Sequence, residues 1–158
     1  MGRATGNFIS SNDLLINENC VYLIVSSMNP SEWNHVNSPP SIYVVDDEQM
    51  LLDLAKMILE PAGFQVCLFQ DPELAFKEYT AAQYPPDVLV TDYAMGSMNG
   101  MDLIRKCKQI HPRQKTVLLS GTVDESTYAQ SDVKPDRFLA KPYQINKLLE
   151  VIRTLLAQ

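Results

Sequence analysis

From Ser41 to the C-terminus, short apolar runs rich in β-branched residues alternate with stretches of helical periodicity, and this alternation limits the folds open to the chain. Ile42–Val45, Gln65–Phe69, Asp87–Thr91, Thr116–Leu119 and Arg137–Ala140 read as strands. Helical patterns lie between them. The first places Leu51, Leu54, Ala55 and Ile58 on one face and ends near Pro61-Ala62-Gly63. The second opens at Asp71-Pro72, a capping acid followed by a first-turn proline, and is predicted to run to about Gln83. The third covers Gly100–Ile110 and is stopped by Pro112, and a weaker fourth covers about Asp124–Ser131, before Pro135. The last places Ile145, Leu148, Leu149, Ile152, Leu155 and Leu156 at i, i+3, i+4 spacing. A helix between two strands carries the chain back to the edge it left, so such strands pair in parallel. The expectation is a three-layer α/β domain whose nearly continuous apolar strands are covered on both faces.

The chain has 158 residues, 46% of them hydrophobic and 20% charged, which suits one globular domain. Residues 1–40 differ from the rest. They are rich in Ser and Asn, carry few charges and end in Ser38-Pro39-Pro40, so they read as a tail or linker ahead of a domain at residues 41–158. Trp33 is expected there as a local anchor or an exposed ring, and Met28 is a candidate true start, with residues 1–27 an upstream extension. The net charge of −6 argues against a sequence-independent grip on nucleic acid. The apolar stretch Val21–Val25 is far too short to cross a membrane and lacks the basic start of a signal peptide. Cys20, Cys67 and Cys107 are an odd count without metal-ligand spacing, and read as reduced thiols of a cytosolic protein.

The strand ends carry the chemistry. Asp46 and Asp47 follow the first strand, Asp92 ends the third, Ser120-Gly121 ends the fourth and Lys141-Pro142 ends the fifth. Each has an ordinary structural use: helix cap, turn acid, turn pair, surface lysine. In an open parallel sheet, however, all these ends lie along the carboxyl edge, where such sheets bind ligands. Three carboxylates gathered there repel one another, and a divalent cation relieves the repulsion. An all-oxygen, water-accessible set suits Mg2+. Asp92 can then act as nucleophile toward a phosphoryl group, with Lys141 supplying charge, Ser120 a hydrogen bond and Gly121 room for the incoming group.

The motifs "VVDDE", "VTDYAMGSMNG", "LLSGT" and "FLAKP", in this order, resemble the receiver domain of two-component response regulators across about Ser41–Gln158. The resemblance implies a flavodoxin-like fold, a doubly wound five-stranded parallel sheet of order 2-1-3-4-5 with helices on both faces. It implies that Asp92 accepts phosphate from a histidine kinase or histidine phosphotransfer protein. It further implies that Asp47 and Asp92 bind Mg2+ directly, Asp46 largely through water, and the Ala94 carbonyl as a backbone ligand. Lys141 would contact the phosphoryl group ahead of a cis bond to Pro142. Ser120 and Phe138 would be the switch pair that moves when Asp92 is phosphorylated, and the altered surface would be read by a downstream protein.

Three departures from the family pattern stand out. Gly96 replaces the usual proline after Met95, predicting a looser loop. The segment "VDESTYAQSDVKPD" lacks the usual small-residue pattern, predicting a short or mobile fourth helix. Ala94 stands where a polar side chain could orient water, predicting slow self-dephosphorylation. Met95, Met98 and Met101 read as packing residues, His111 as a helix-end residue and His35 as part of the tail. The reading is a stand-alone phospho-accepting module, or a receiver from a larger hybrid kinase, without nucleic acid or membrane as partner. The rivals are a degenerate receiver acting as a scaffold and an aspartyl-phosphate-forming phosphatase; the latter usually carries an acid where this chain has Ala94.

Overall fold

The computed structural model describes residues 38–122 and 131–158. Pro39–Gln158 holds together as one unit. The expected tail, with Cys20, Met28, Trp33 and His35, lies outside the described residues apart from its last three positions, as do residues 124–130 of the expected fourth helix.

Nine elements are described, in the order β1 (Ser41–Val45), α1 (Gln49–Leu59), β2 (Gln65–Phe69), α2 (Pro72–Ala81), β3 (Val88–Asp92), α3 (Gly100–Ile110), β4 (Lys115–Ser120), β5 (Arg137–Ala140) and α4 (Ile145–Leu156). The strands form one sheet of order β2-β1-β3-β4-β5, and every pairing is parallel. The strand ends are in register across the middle of the sheet: Val45 lies opposite Thr91, Asp92 opposite Leu119, and Ser120 opposite Ala140. This register brings the polar strand ends to one edge.

Strand alternation divides the core into two layers. Ile42, Val44, Val88, Val90, Val117, Leu119 and Leu139 point to one face and pack with α1 and α4, through Leu52, Ala55, Leu59, Leu148, Ile152 and Leu155. Val45, Leu89 and Leu118 point to the other and pack with α2 and α3, through Ala75, Tyr79, Leu103, Ile104 and Cys107. Met95, Met98 and Met101 close this second layer, in keeping with a packing role. Burial pushes the Cys107 thiol up to about 12 and raises Cys67 for the same reason, which disfavours the thiolate form in both.

Helix α1 buries Leu52, Ala55 and Leu59, whereas Leu54, expected on the inner face, is exposed together with Met50 and Met57. The helix is apolar nearly all round, so several faces satisfy the same spacing and only the sheet decides between them. Helix α2 starts as expected, with the Asp71 carboxylate accepting the Glu73 N–H at 2.8 Å, but ends at Ala81 because Ala82 is extended and Pro85-Pro86 follow.

Polar groups, some of them buried, tie the amino edge together. Tyr79 donates its hydroxyl to Gln114 Oε1 at 2.9 Å, and Gln114 Nε2 donates to the Pro86 carbonyl at 2.9 Å. Asp136 Oδ2 accepts from the Thr116 N–H and hydroxyl at 2.8 and 2.7 Å and from Lys108 Nζ at 2.8 Å, pinning the entry to β5. Burial pushes the Asp136 carboxyl up, but the Lys108 and Thr116 hydrogen bonds outweigh it and hold it below the ordinary 3.8. A carboxylate with a lowered folded value stabilises the fold above its unfolded value, and that contribution is lost as pH falls through the folded one. Asp136→Asn is therefore expected to cost about 1 kcal/mol at neutral pH, after allowance for solvent screening at this partly exposed group. Urea melts should show the cost shrinking below pH 3.8.

Candidate functional site

β1 delivers Asp46 to the carboxyl edge at 2% exposure, and β3 delivers Asp92 at 5%. Each is locally fixed. Asp46 Oδ1 accepts the Glu48 N–H at 3.0 Å, so the acid shapes the turn into α1 without capping it: the N-cap is Glu48, which has no side-chain cap bond. Asp92 Oδ2 accepts the Ala94 N–H at 2.7 Å. The remaining oxygens face a common cation: Lys141 Nζ lies 2.8 Å from Asp46 Oδ2 and 2.7 Å from Asp92 Oδ1. Lys141 reaches them from the end of β5, where its N–H donates to the Ser120 carbonyl at 2.7 Å and its bond to Pro142 is cis.

Burial alone pulls the Lys141 ammonium down. The hydrogen bonds to Asp46 and Asp92, and their charges, outweigh it, and the net direction is upward from 10.5. Tyr143 lies in the same field. Burial raises its phenol, Lys141 lowers it, Asp46 and Asp92 raise it, and the net is upward.

Ser120 is buried at the end of β4, and its Oγ accepts the Thr122 N–H at 3.1 Å. Gly121 is exposed beside it, and an added Cβ there would meet only the Lys141 Cβ, at 3.5 Å, an ordinary contact. Phe138 is half-buried against the α2–α3 layer. Ala94 is exposed and presents no polar side chain to Asp92. Asp47 is exposed, with its carbonyl 3.5 Å from Gln70 Nε2. Asp46, Asp92 and Lys141 thus form one contacting group, with Ser120 joined to it through the Lys141 backbone, while Asp47 stands outside those contacts. Among the described residues, no three Asp, Glu, His or Cys side chains form a ready-made metal cage.

The donor chemistry still suits a hard divalent cation. The carboxylates of Asp46, Asp47 and Asp92 are oxygen donors at the rim of the sheet, and Lys141 offsets only part of their charge.

Several supporting residues were not singled out in the sequence. Thr91 is buried and donates its hydroxyl to the Asp92 carbonyl at 3.1 Å. Tyr93 N–H donates to the Leu119 carbonyl at 2.8 Å, and the Tyr93 carbonyl accepts the Gly100 N–H at 3.0 Å. Asn99 caps α3 by accepting the Asp102 N–H at 2.9 Å and donating to Asp102 Oδ2 at 2.8 Å. The pattern Asn99-x-x-Asp102 was the available signal, as a reciprocal cap.

The family model described as response regulator receiver domain matches residues 42–153. The chain belongs to this family. Among similar curated proteins, "Probable transcriptional regulatory protein TcrX" of Mycobacterium tuberculosis is 29% identical over 119 residues, which is 75% of this chain and 50% of that protein. "Response regulator ArlR" of Staphylococcus saprophyticus is 29% identical over 118 residues, 73% of this chain and 51% of that one. The chain therefore spans about half the length of these relatives. A crystal structure of a response regulator receiver domain protein from Clostridium thermocellum is 27% identical, with a TM-score of 0.69 over 75% of this chain and 94% of that one. A CheY-like receiver from Methanospirillum hungatei is 25% identical, with a TM-score of 0.70 over 76% and 95%. The fold is the flavodoxin-like, CheY-like arrangement that the motifs implied. Among the described residues, no helix is long and apolar enough to cross a membrane.

Proposed function

We propose that this receiver domain takes a phosphoryl group onto Asp92 from a phosphohistidine of a histidine kinase or phosphotransfer protein. The observation that carries the reading is the shared contact of Lys141 with Asp46 and Asp92 at the carboxyl edge. In the transfer, an Asp92 carboxylate oxygen forms a bond to phosphorus while the phosphorus–nitrogen bond of the donor breaks. The electron pair stays with the imidazole, and Asp92 becomes an acyl phosphate. Lys141, already at Asp92 Oδ1, moves its ammonium onto the incoming phosphoryl oxygens, and the Ser120 hydroxyl turns to them as a donor. Bound Mg2+, held by Asp46, Asp47 and Asp92 with the Ala94 carbonyl, would neutralise further charge on those oxygens.

Release of Ser120 from Thr122 and inward rotation of Phe138 from its half-buried position would pass the event to the surface that a downstream protein reads. With Ala94 beside the acyl phosphate, no side chain of that residue orients water, and self-dephosphorylation is slow. The protein is a cytoplasmic signalling phosphoacceptor, and catalyses only its own phosphorylation and hydrolysis.

Incubation with Mg2+ and acetyl phosphate tests this. Intact-mass measurement should show the gain of one phosphoryl group by the wild type and none by Asp92→Asn. An equal gain by the variant would remove Asp92 from the role.

A further inference from the structure

The space around the acceptor's backbone points to a residue that acts on Asp92 without touching its carboxylate. A Cβ added to Gly100 would lie 2.1 Å from the Asp92 carbonyl oxygen, 2.9 Å from its carbonyl carbon and 3.0 Å from Leu118 Cδ1. The obstacle is strand backbone, which cannot swing aside as a side-chain tip can. The first residue of α3 therefore rests directly against the peptide unit that carries the acceptor.

That peptide unit is held from several sides. The Thr91 hydroxyl donates to the Asp92 carbonyl at 3.1 Å. The unit's own N–H, that of Tyr93, donates to the Leu119 carbonyl at 2.8 Å, and the carbonyl of the next peptide unit, that of Tyr93, accepts the Gly100 N–H at 3.0 Å. The Asn99 cap then fixes the first turn of α3. We propose that Gly100 is a positioning residue for phosphoryl transfer: its missing side chain lets α3 clamp the Asp92–Tyr93 peptide, and so sets where the Asp92 carboxylate stands relative to Lys141 and Asp46. The proposal rests on Asp92 being the acceptor.

A methyl group at residue 100 must open the 2.1 Å approach by about an ångström before the contact is tolerable, because a packed interior yields little. A displacement of that size at a reacting group lowers rates by about tenfold or more. Loss of stability alone would not, so a control of similar destabilisation is needed. Leu155→Ala serves, since Leu155 is buried near the end of α4, in the core layer on the other face of the sheet from α3.

The test compares wild type, Gly100→Ala and Leu155→Ala, each shown to be folded by circular dichroism at low temperature. Phosphoryl uptake from acetyl phosphate with Mg2+ is measured over a range of donor concentrations. The expected result is a maximal rate at least about tenfold lower in Gly100→Ala, with Leu155→Ala within about twofold of wild type. Equal rates in the two variants would overturn the proposal. Should Gly100→Ala fail to fold, Asn99→Ala loosens the same helix start without a clash, and its maximal rate is expected to fall roughly threefold; an unchanged rate there would also overturn it. Failure of the underlying reading looks different, because the wild type itself would then take up no phosphate.

Discussion

Lys141→Met is expected to slow phosphoryl uptake by roughly a hundredfold, the scale on which removing one preorganised donor acts in charge-stabilised transition states. The ammonium is the only cation that the structure places in contact with both Asp46 and Asp92 among the described residues. Methionine keeps most of the side-chain volume, so the change removes charge rather than packing. The same substitution is expected to cost about 2 kcal/mol of stability at pH 7 without added metal, below the usual figure for breaking a buried pair because the Lys141 side chain remains 19% exposed. The pH dependence has a definite sign. Lys141 is raised in the fold, so its contribution is complete below the ordinary 10.5 and is lost as pH climbs through the higher folded value. Urea melts of the two proteins should therefore differ at neutral pH and converge in alkali above 10.5.

Ile104→Ala should produce the largest purely structural effect. Ile104 is fully buried on α3, in the layer formed with Leu89, Leu118 and the methionines that follow Asp92. Removing its side chain leaves a cavity in a layer already closed by Met95, Met98 and Met101. The expected loss is about 3 kcal/mol, and thermal denaturation should show a midpoint lower by roughly 10 °C. A shift near zero would mean that the methionines refill the space, as their flexible side chains can.

The strand ends were legible because the chain places its unusual residues where the apolar runs stop. Val88–Asp92 ends in an acid and Lys115–Ser120 in a hydroxyl, and parallel topology alone sends both to one edge. The α2 start at Asp71-Pro72 and the α3 span from Gly100 were legible for local reasons, since caps and prolines act within a few residues. The inner face of α1 was not. With Met50, Leu51, Leu52, Leu54 and Met57 all apolar, the periodicity has no single answer until the sheet takes one side. Gly100 looked like a helix start and no more, because the close approach to Asp92 involves residues on a different element. The family resemblance separated Asp46 from Asp47 as metal ligands, but not their standing toward Lys141: Asp46 shares that ammonium with Asp92, and Asp47 is exposed.

If Asp92 is the acceptor, its carboxylate becomes an acyl phosphate on phosphoryl uptake. Borohydride reduces an acyl phosphate of aspartate to homoserine, so treatment after incubation with acetyl phosphate and Mg2+ marks the acceptor in the chain. Peptide mapping by mass spectrometry should find homoserine at residue 92 and aspartate unchanged at residues 46 and 47. Homoserine at either of those positions, or at none, would contradict the account.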